Sequence, residues 1–348
     1  MVRYAGGDEE SSVTALAVGL YRPGPREELS KLLLSGMSPQ ALRAHIGSEK
    51  VREARSIYDR CMAEGLSVVP LCSQQYPTRL RYIPAPPVAL FVRCIEGVSL
   101  ALEGSVAVVG TRAASVDVCA VATEISLSLC GAGFSVVSGL ALGIDGAAHR
   151  GALCAVTYDR SAAVPTVAVL AHGLDRVYPP SHMPLADEII EQGGALISEY
   201  PPGTEPLKHH FLERNRIIAG ISQGVVVIQA GERSGSLVTA RFGADFGRDV
   251  FVYDSGAQDM RHAGGDRMLE DGAIPCTGAT EILREYGIDA EECLERVNGE
   301  VVSVEAYLSQ YRISMAELLR LELAGLVVRL PGNRVKPLSS GAKRSGPC

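Results

Sequence analysis

Between residues 103 and 285 the chain repeats one pattern: a short apolar, β-branched run, a loop rich in glycine and serine, then a helical segment. The strand-like runs fall at 106–109, 134–138, 166–171, 195–198, 225–229 and 250–253. Helical patterns lie between most of them, among them 116–130, 183–192 and 237–246. Strands that are apolar on both faces must be covered by helices on both faces. Their alternation with helices therefore predicts an α/β fold, an extended Rossmann-like, doubly wound and mostly parallel sheet. In such a sheet a ligand sits outside the carboxyl ends of the strands, where the strand order reverses.

Those predicted ends carry the unusual residues. Gly110-Thr111-Arg112 follows the first strand, Ser138-Gly139 the second, and His172-Gly173-Leu174-Asp175 the third. After the fourth comes Glu199-Tyr200-Pro201-Pro202-Gly203, and after the fifth the run from Ala230 to Ser236, which contains Ser234 and Gly235. The stretch FSVVSGLALGIDGAAH, 134–149, reads as a strand, a glycine turn and a helix start, a junction whose N–H groups can face an anion. Its spacing is G-x-x-x-G-x-x-G, not the dinucleotide fingerprint G-x-G-x-x-G, so a ligand-free crossover is the alternative. Loops of this composition gathered on one edge favour a ligand site.

Composition limits the ligand. The net charge is −7 over 348 residues, so a broad basic face of the kind used by duplex binders is not expected. An anionic ligand must be held by a local cluster, and Pro206 to Ser222, PLKHHFLERNRIIAGIS, supplies one. Lys208, His209, His210, Arg214 and Arg216 lie within nine residues, around Phe211, in a chain with six Phe and no Trp. Cations bracketing an aromatic ring suit single-stranded nucleic acid, the charges tracking phosphates and the ring stacking on a base. Alternatively Phe211 is a core residue and the charges belong to a solvated helix face. Asn215 stands between two forked donors that can receive a phosphate, and either arginine can equally pair internally with Glu199 or Asp145.

Other chemistries lack their residues. His209-His210, and Asp145 with His149, have no third metal ligand in view. No G-x-S-x-G elbow is present, and Ser138 and Ser234 have no paired base, so no catalytic set is expected. Nine scattered cysteines without a C-x-x-C pattern point to reduced thiols in a cytoplasm. No apolar run reaches the roughly 20 residues that span a bilayer, and the first residues lack a secretory pattern.

Four regions are expected. Residues 1–65 read as a small helical (SAM-like) domain, with short amphipathic patterns at 29–34, 39–46 and 51–62. Residues 66–288 hold the sheet, opened by a lead-in with a strand candidate at 88–92. Residues 289–336 suggest helices at 301–311 and 314–323 followed by a hairpin, a winged-helix-like domain. Glu317, Arg320 and Glu322 on its second helix suit an interaction module better than a major-groove reader. The tail 337–348 is expected to be disordered.

The central stretches AVVGTR (107–112), SGLALGIDGAAHRGAL (138–153), AVLAHGLDRVYPPSH (168–182), ISEYPPG (197–203), FLERNRIIAGIS (211–222) and SGSLVTARFGADFGRDVF (234–251) occur in the order seen in one family. The chain resembles the DNA-processing protein A family (DprA/Smf). That resemblance implies a Rossmann-like domain that binds single-stranded DNA, dimerises, and helps load the RecA recombinase during DNA uptake and natural transformation. It implies no enzymatic activity, no cofactor and no membrane. Carried over by motif, Arg112 and Lys208 contact phosphate, Ser138-Gly139 lines the pocket and Phe211 supplies the stacking ring. With the residues read directly, the expected nucleic-acid-binding set is Arg112, Ser138, Gly139, Lys208, Phe211, Arg214, Asn215, Arg216, Ser234 and Gly235. The chain departs from the family pattern at Asp254-Ser255, Asp266 and Leu212. A phosphoribohydrolase-like enzyme on the same fold is the alternative, although the loop AGERSGSLVTA places hydroxyls where such enzymes carry a glutamate.

Overall fold

The computed structural model describes residues 9–21, 26–35, 37–100, 102, 104–156, 162–256 and 260–289, with 302–305, 308, 314–315, 318–319, 327–330 and 334–337 beyond them. Helices come first: α1 (Glu9–Tyr21), α2 (Arg26–Leu33), α3 (Pro39–Ile46) and α4 (Ser48–Ala63). Ser38 caps α3 by accepting from the Ala41 N–H at 3.2 Å, and Pro39 takes the first helical position, where its missing N–H costs nothing. Next come β1 (Ser67–Pro70), the short α5 (Thr78–Arg81) and β2 (Ala89–Cys94).

The predicted alternation then follows. It runs β3 (Ser105–Val109), α6 (Val116–Gly131), β4 (Ser135–Ser138), α7 (Ile144–Val156), β5 (Thr166–Leu170), α8 (Met183–Glu191) and β6 (Ala195–Ser198). It continues with α9 (Lys208–Ile221), β7 (Gly224–Val227), α10 (Gly235–Asp245), β8 (Asp249–Tyr253), α11 (Ala263–Glu270), β9 (Ile274–Cys276) and α12 (Ala279–Glu285). The strands form one sheet in the order β1-β2-β6-β5-β4-β3-β7-β8-β9. β2 is antiparallel to both its neighbours, and the other pairings are parallel. The winding goes outward from β3 to β6, then returns to place β7 on the other side of β3. The order reverses between β3 and β7, so their carboxyl ends open the crevice where such sheets bind ligands.

Period-two alternation sorts the strand side chains between the two faces. Ala107, Val109, Val137, Val225 and Val227 pack on one side with Ile217 and Ile218 of α9 and Leu237 and Ala240 of α10. Val106, Val108, Val136 and Val226 pack on the other with Ile125 and Leu129 of α6 and Ala148 of α7. On the second face, toward β1, the N-terminal helices share a core with the sheet, Val13 and Ala17 lying in one cluster with Phe91, Leu170 and Ile189.

The sheet is wider than the alternation predicts. The expected lead-in is itself part of it, since β1 and β2 extend the edge beyond β6, and β9 adds a strand at the far end. Helix α1 is absent from the amphipathic pattern because it is buried on every side: Ser12, Val13, Thr14, Ala15 and Ala17 are all buried. In the C-terminal region β10 (Val302–Ser303), β11 (Val327–Leu330) and β12 (Arg334–Pro337) form an antiparallel sheet in the order β10-β12-β11. The two expected helices there, and the tail beyond Pro337, lie largely outside the described residues. No helix among the described residues is long and apolar enough to cross a membrane.

Two buried details of α7 lead to measurable consequences. Gly151 faces α6 so closely that a Cβ would overlap the Thr123 carbonyl oxygen and lie 2.9 Å from its Cα. Gly151→Ala is expected to destabilise the fold by about 1–3 kcal/mol through overpacking, read from the shift in urea midpoint. His149 is fully buried, and its Nδ1–H donates to Thr166 Oγ1 at 2.7 Å, whose hydroxyl donates to the Val136 carbonyl at 2.7 Å. Burial, reinforced by the nearby His182, Arg150 and Arg214, pushes its pKa down to about 3. The unfolded chain therefore binds a proton at His149 between pH 6.5 and 3 that the folded chain refuses, and stability falls as pH drops through that window. The wild type should lose about 2 kcal/mol more than His149→Gln between pH 7 and pH 5 in urea titrations. Parallel loss in the two proteins would remove this role.

Candidate nucleic-acid interface

At the end of β3 the chain turns at Gly110, and the Thr111 N–H donates to the Gln229 carbonyl at 2.9 Å, just past β7. The Ile144 N–H, opening α7, donates to the Thr111 carbonyl at 3.2 Å. Gly143 precedes it with φ +73°, and a Cβ there would overlap the Thr111 carbonyl and lie 2.8 Å from that of Arg112. Glycine is required twice over, by the left-handed backbone and by the close approach. The start of α7 is thus pressed against Thr111-Arg112 and fixes where the exposed Arg112 side chain leaves the sheet.

Helix α9 begins on the same edge with Leu207 at its N-cap, a residue whose side chain cannot accept from the first N–H groups. Its first turn carries no acid, and the exposed Lys208 stands at its first position. A cation at the positive end of a helix dipole is an unfavourable pairing that an anion relieves. Phe211 lies one turn on and is half-buried. The Arg112 Cζ sits 5.2 Å from the centre of its ring, and the Tyr178 ring 5.7 Å from it at 59°. Arg112, on the loop after β3, is thereby joined to Phe211 of α9. Among the described residues neither Arg112 nor Lys208 makes a hydrogen bond or an ion pair, whereas neighbouring Arg176 is neutralised by Asp175 at 3.2 Å and Glu205 at 2.7 Å.

Half of the expected binding set turns inward. Arg214 is 3% exposed, and its guanidinium donates to the Gly139 carbonyl at 3.0 Å and to the Val169 carbonyl. Burial, opposed by Asp145 and aided by Arg112, lowers its pKa to about 10. Arg216, 7% exposed, donates to the Ala85 carbonyl at 2.6 Å and pairs with the half-buried Glu199. Both arginines therefore take the structural alternative. Asn215 is buried, and its amide donates to the Gly235 carbonyl at 3.1 Å, tying α9 to the start of α10. Ser138 is fully buried with its hydroxyl on the Val108 carbonyl at 2.7 Å, and Gly139 is buried beside it. These residues brace the site from below and do not line it.

The glycine turn is not an open phosphate cradle either. Asp145 Oδ2 accepts from the Gly139 and Ala141 N–H groups at 3.2 and 3.4 Å. Burial pushes this carboxyl up, opposed by Arg214 and the two N–H groups. Ser234 caps α10 by accepting from the Ser236 N–H at 3.4 Å, and Gly235 is exposed at the helix start. Arg112, Lys208, Phe211, Ser234 and Gly235 are the expected residues that reach the surface. Tyr178 was not in the expected set, although the stretch AHGLDRVYPPSH carried it on a loop at the correct sheet edge. No group of three or more His, Cys, Asp or Glu among the described residues is arranged to hold a metal ion.

This sheet and edge have relatives. Residues 67–287 match the family described as DNA recombination-mediator protein A. Over 276 residues the chain is 32% identical to the DNA processing protein DprA of Bacillus subtilis, spanning 78% of this chain and 90% of that protein. Over 297 residues it is 36% identical to the protein Smf of Escherichia coli, with 77% of each chain covered. The X-ray structure of DprA from Streptococcus pneumoniae superposes with a TM-score of 0.59 at 31% identity, over 79% of this chain and 93% of that one. A structure describing the single-stranded DNA binding mode of DprA from Helicobacter pylori gives 0.54 at 26% identity, over 64% and 95%. The chain belongs to the DNA recombination-mediator protein A family.

Proposed function

We propose that this protein binds single-stranded DNA at the edge formed by Arg112, Lys208 and Phe211, and that it acts there as a recombination mediator. The observation that carries this reading is a pair of cations that make no hydrogen bond or ion pair among the described residues, beside an aromatic ring on an acidic chain. Arg112 and Lys208, with the uncapped start of α9, neutralise consecutive phosphates. Phe211 takes the face of a base. In a duplex both faces of every base are already covered by neighbours, so a stacking ring of this kind selects the single strand. The finer role we propose, to which membership of the family lends support, is delivery of RecA to the bound strand by a cytoplasmic homodimer without catalysis.

The cations and the ring leave different signatures. Arg112→Ala and Lys208→Ala should each weaken binding of labelled oligo-dT and lower the slope of log affinity against log salt by roughly 0.7, the value for one single-strand phosphate contact. Phe211→Ala should cost about 1–3 kcal/mol with the slope unchanged. Both readouts come from fluorescence anisotropy at several salt concentrations, with unchanged affinity and slope in the two cation variants counting against the interface. A RecA strand-exchange assay on DNA pre-coated with single-strand binding protein then tests mediation. Acceleration by the wild type and not by Arg112→Ala is expected.

A further inference from the structure

We propose that Tyr178 is a second base-stacking platform, so that the site holds two neighbouring bases of the strand instead of one. The proposal rests on the single-strand reading above and extends it to a residue on another loop. Tyr178 lies between β5 and α8 and is 44% exposed. Its loop is nonetheless anchored at both ends. On one side Asp175 Oδ1 accepts from the Gly203 N–H at 2.7 Å and Arg176 pairs with Glu205 at 2.7 Å. On the other, the buried His182 Nδ1 bonds the Leu140 carbonyl at 2.9 Å, and a Cβ on Gly146 would lie 2.7 Å from the His182 ring. A large ring left exposed on a braced loop is preorganised for a ligand, because little freedom is lost when one binds.

The ring geometry sets what that ligand does. The Tyr178 and Phe211 centroids are 5.7 Å apart at an interplanar angle of 59°. The planes are too close and too tilted for one base to insert between them, since a sandwich needs parallel planes two stacking distances apart. Each ring therefore offers its outer face to its own base. Arg112 already lies over Phe211, while among the described residues no cation covers Tyr178 and its hydroxyl has no hydrogen-bond partner. Every base has a π-face, so two such rings grip without reading sequence.

A double-mutant cycle in the oligo-dT anisotropy assay separates this role from simple support of Phe211. Tyr178→Ala should weaken binding at least about fivefold without changing the salt slope, and Tyr178→Phe should stay within about twofold of wild type. In the Tyr178→Ala, Phe211→Ala double variant the two fold-losses should multiply, as for rings holding separate bases. A double variant no weaker than Phe211→Ala alone would show that Tyr178 only props its neighbour, and would overturn the proposal. Photocrosslinking uses the wild-type chain: an oligo-dT carrying 5-iodo-deoxyuridine should form an adduct at Tyr178, mapped by mass spectrometry. Adducts at Phe211 with none at Tyr178 would also overturn it. If Arg112→Ala and Lys208→Ala weaken binding while Tyr178→Ala does not, this proposal fails alone. If none of the variants changes binding, the single-strand reading of the edge fails with it.

Discussion

Arg214 enters the protein beneath Gly139 and donates to the carbonyls of Gly139 and Val169, which belong to the ends of β4 and β5. A Cβ on Gly139 would stand 2.5–2.7 Å from the guanidinium, so the glycine is the space the arginine occupies. Removing a guanidinium from water costs several kcal/mol, and here two carbonyls receive Nη1 and the nearby Asp145 offsets part of the charge, while the buried Nε has no partner among the described residues. Through this one side chain α9 is pinned to the carboxyl ends of two central strands. Asp145 adds to the same knot by holding the Gly139 and Ala141 N–H groups, which sets the turn that α7 presses onto Arg112. Arg112 leaves from the loop after β3 and Phe211 from the first turns of α9 with Lys208, yet Arg112 and Phe211 meet because these buried contacts hold the loop and the helix in place.

Electrostatics then separates structural cations from available ones. Arg216 is consumed by Glu199, and Arg176 by Asp175 and Glu205. Arg112 and Lys208 keep their charge exposed, Arg112 over a ring and Lys208 at a helix start with no acid in its first turn. On a chain of net charge −7 such a pair does not attract polyanions at long range, where screening and the overall charge dominate. On the reading proposed above, it suits a flexible strand whose phosphates and bases can reach one small edge together.

The alternation of strands and helices was legible because strands covered on both faces read as unbroken apolar runs. Residues 106–109 and 134–138 fall within a residue of β3 and β4 for that reason. Helix α1 was not, since burial all round erases the period that marks an amphipathic helix. Arg214 and Arg216 misled for a related cause. Exposure in α9 changes along the axis and not around it: Lys208, His209 and Leu212 are exposed, and everything from Arg214 to Ile221 is buried. A run of cations in sequence cannot show that the helix dives under the sheet edge halfway along. The motif RNR thus contributes to the site by holding it up, while Tyr178 went unnoticed because its partner Phe211 lies on a helix far from it in sequence.

The central claim is that this edge takes a single strand because a ring must reach an uncovered base face. Its most direct test is a titration of the full chain against fluorescein-labelled oligo-dT and an equal-length duplex, each at low and physiological salt. Salt-sensitive binding at least tenfold tighter to the single strand, with the preference reduced in Phe211→Ala, is the predicted result. Equal affinity for strand and duplex in the wild type would contradict the account.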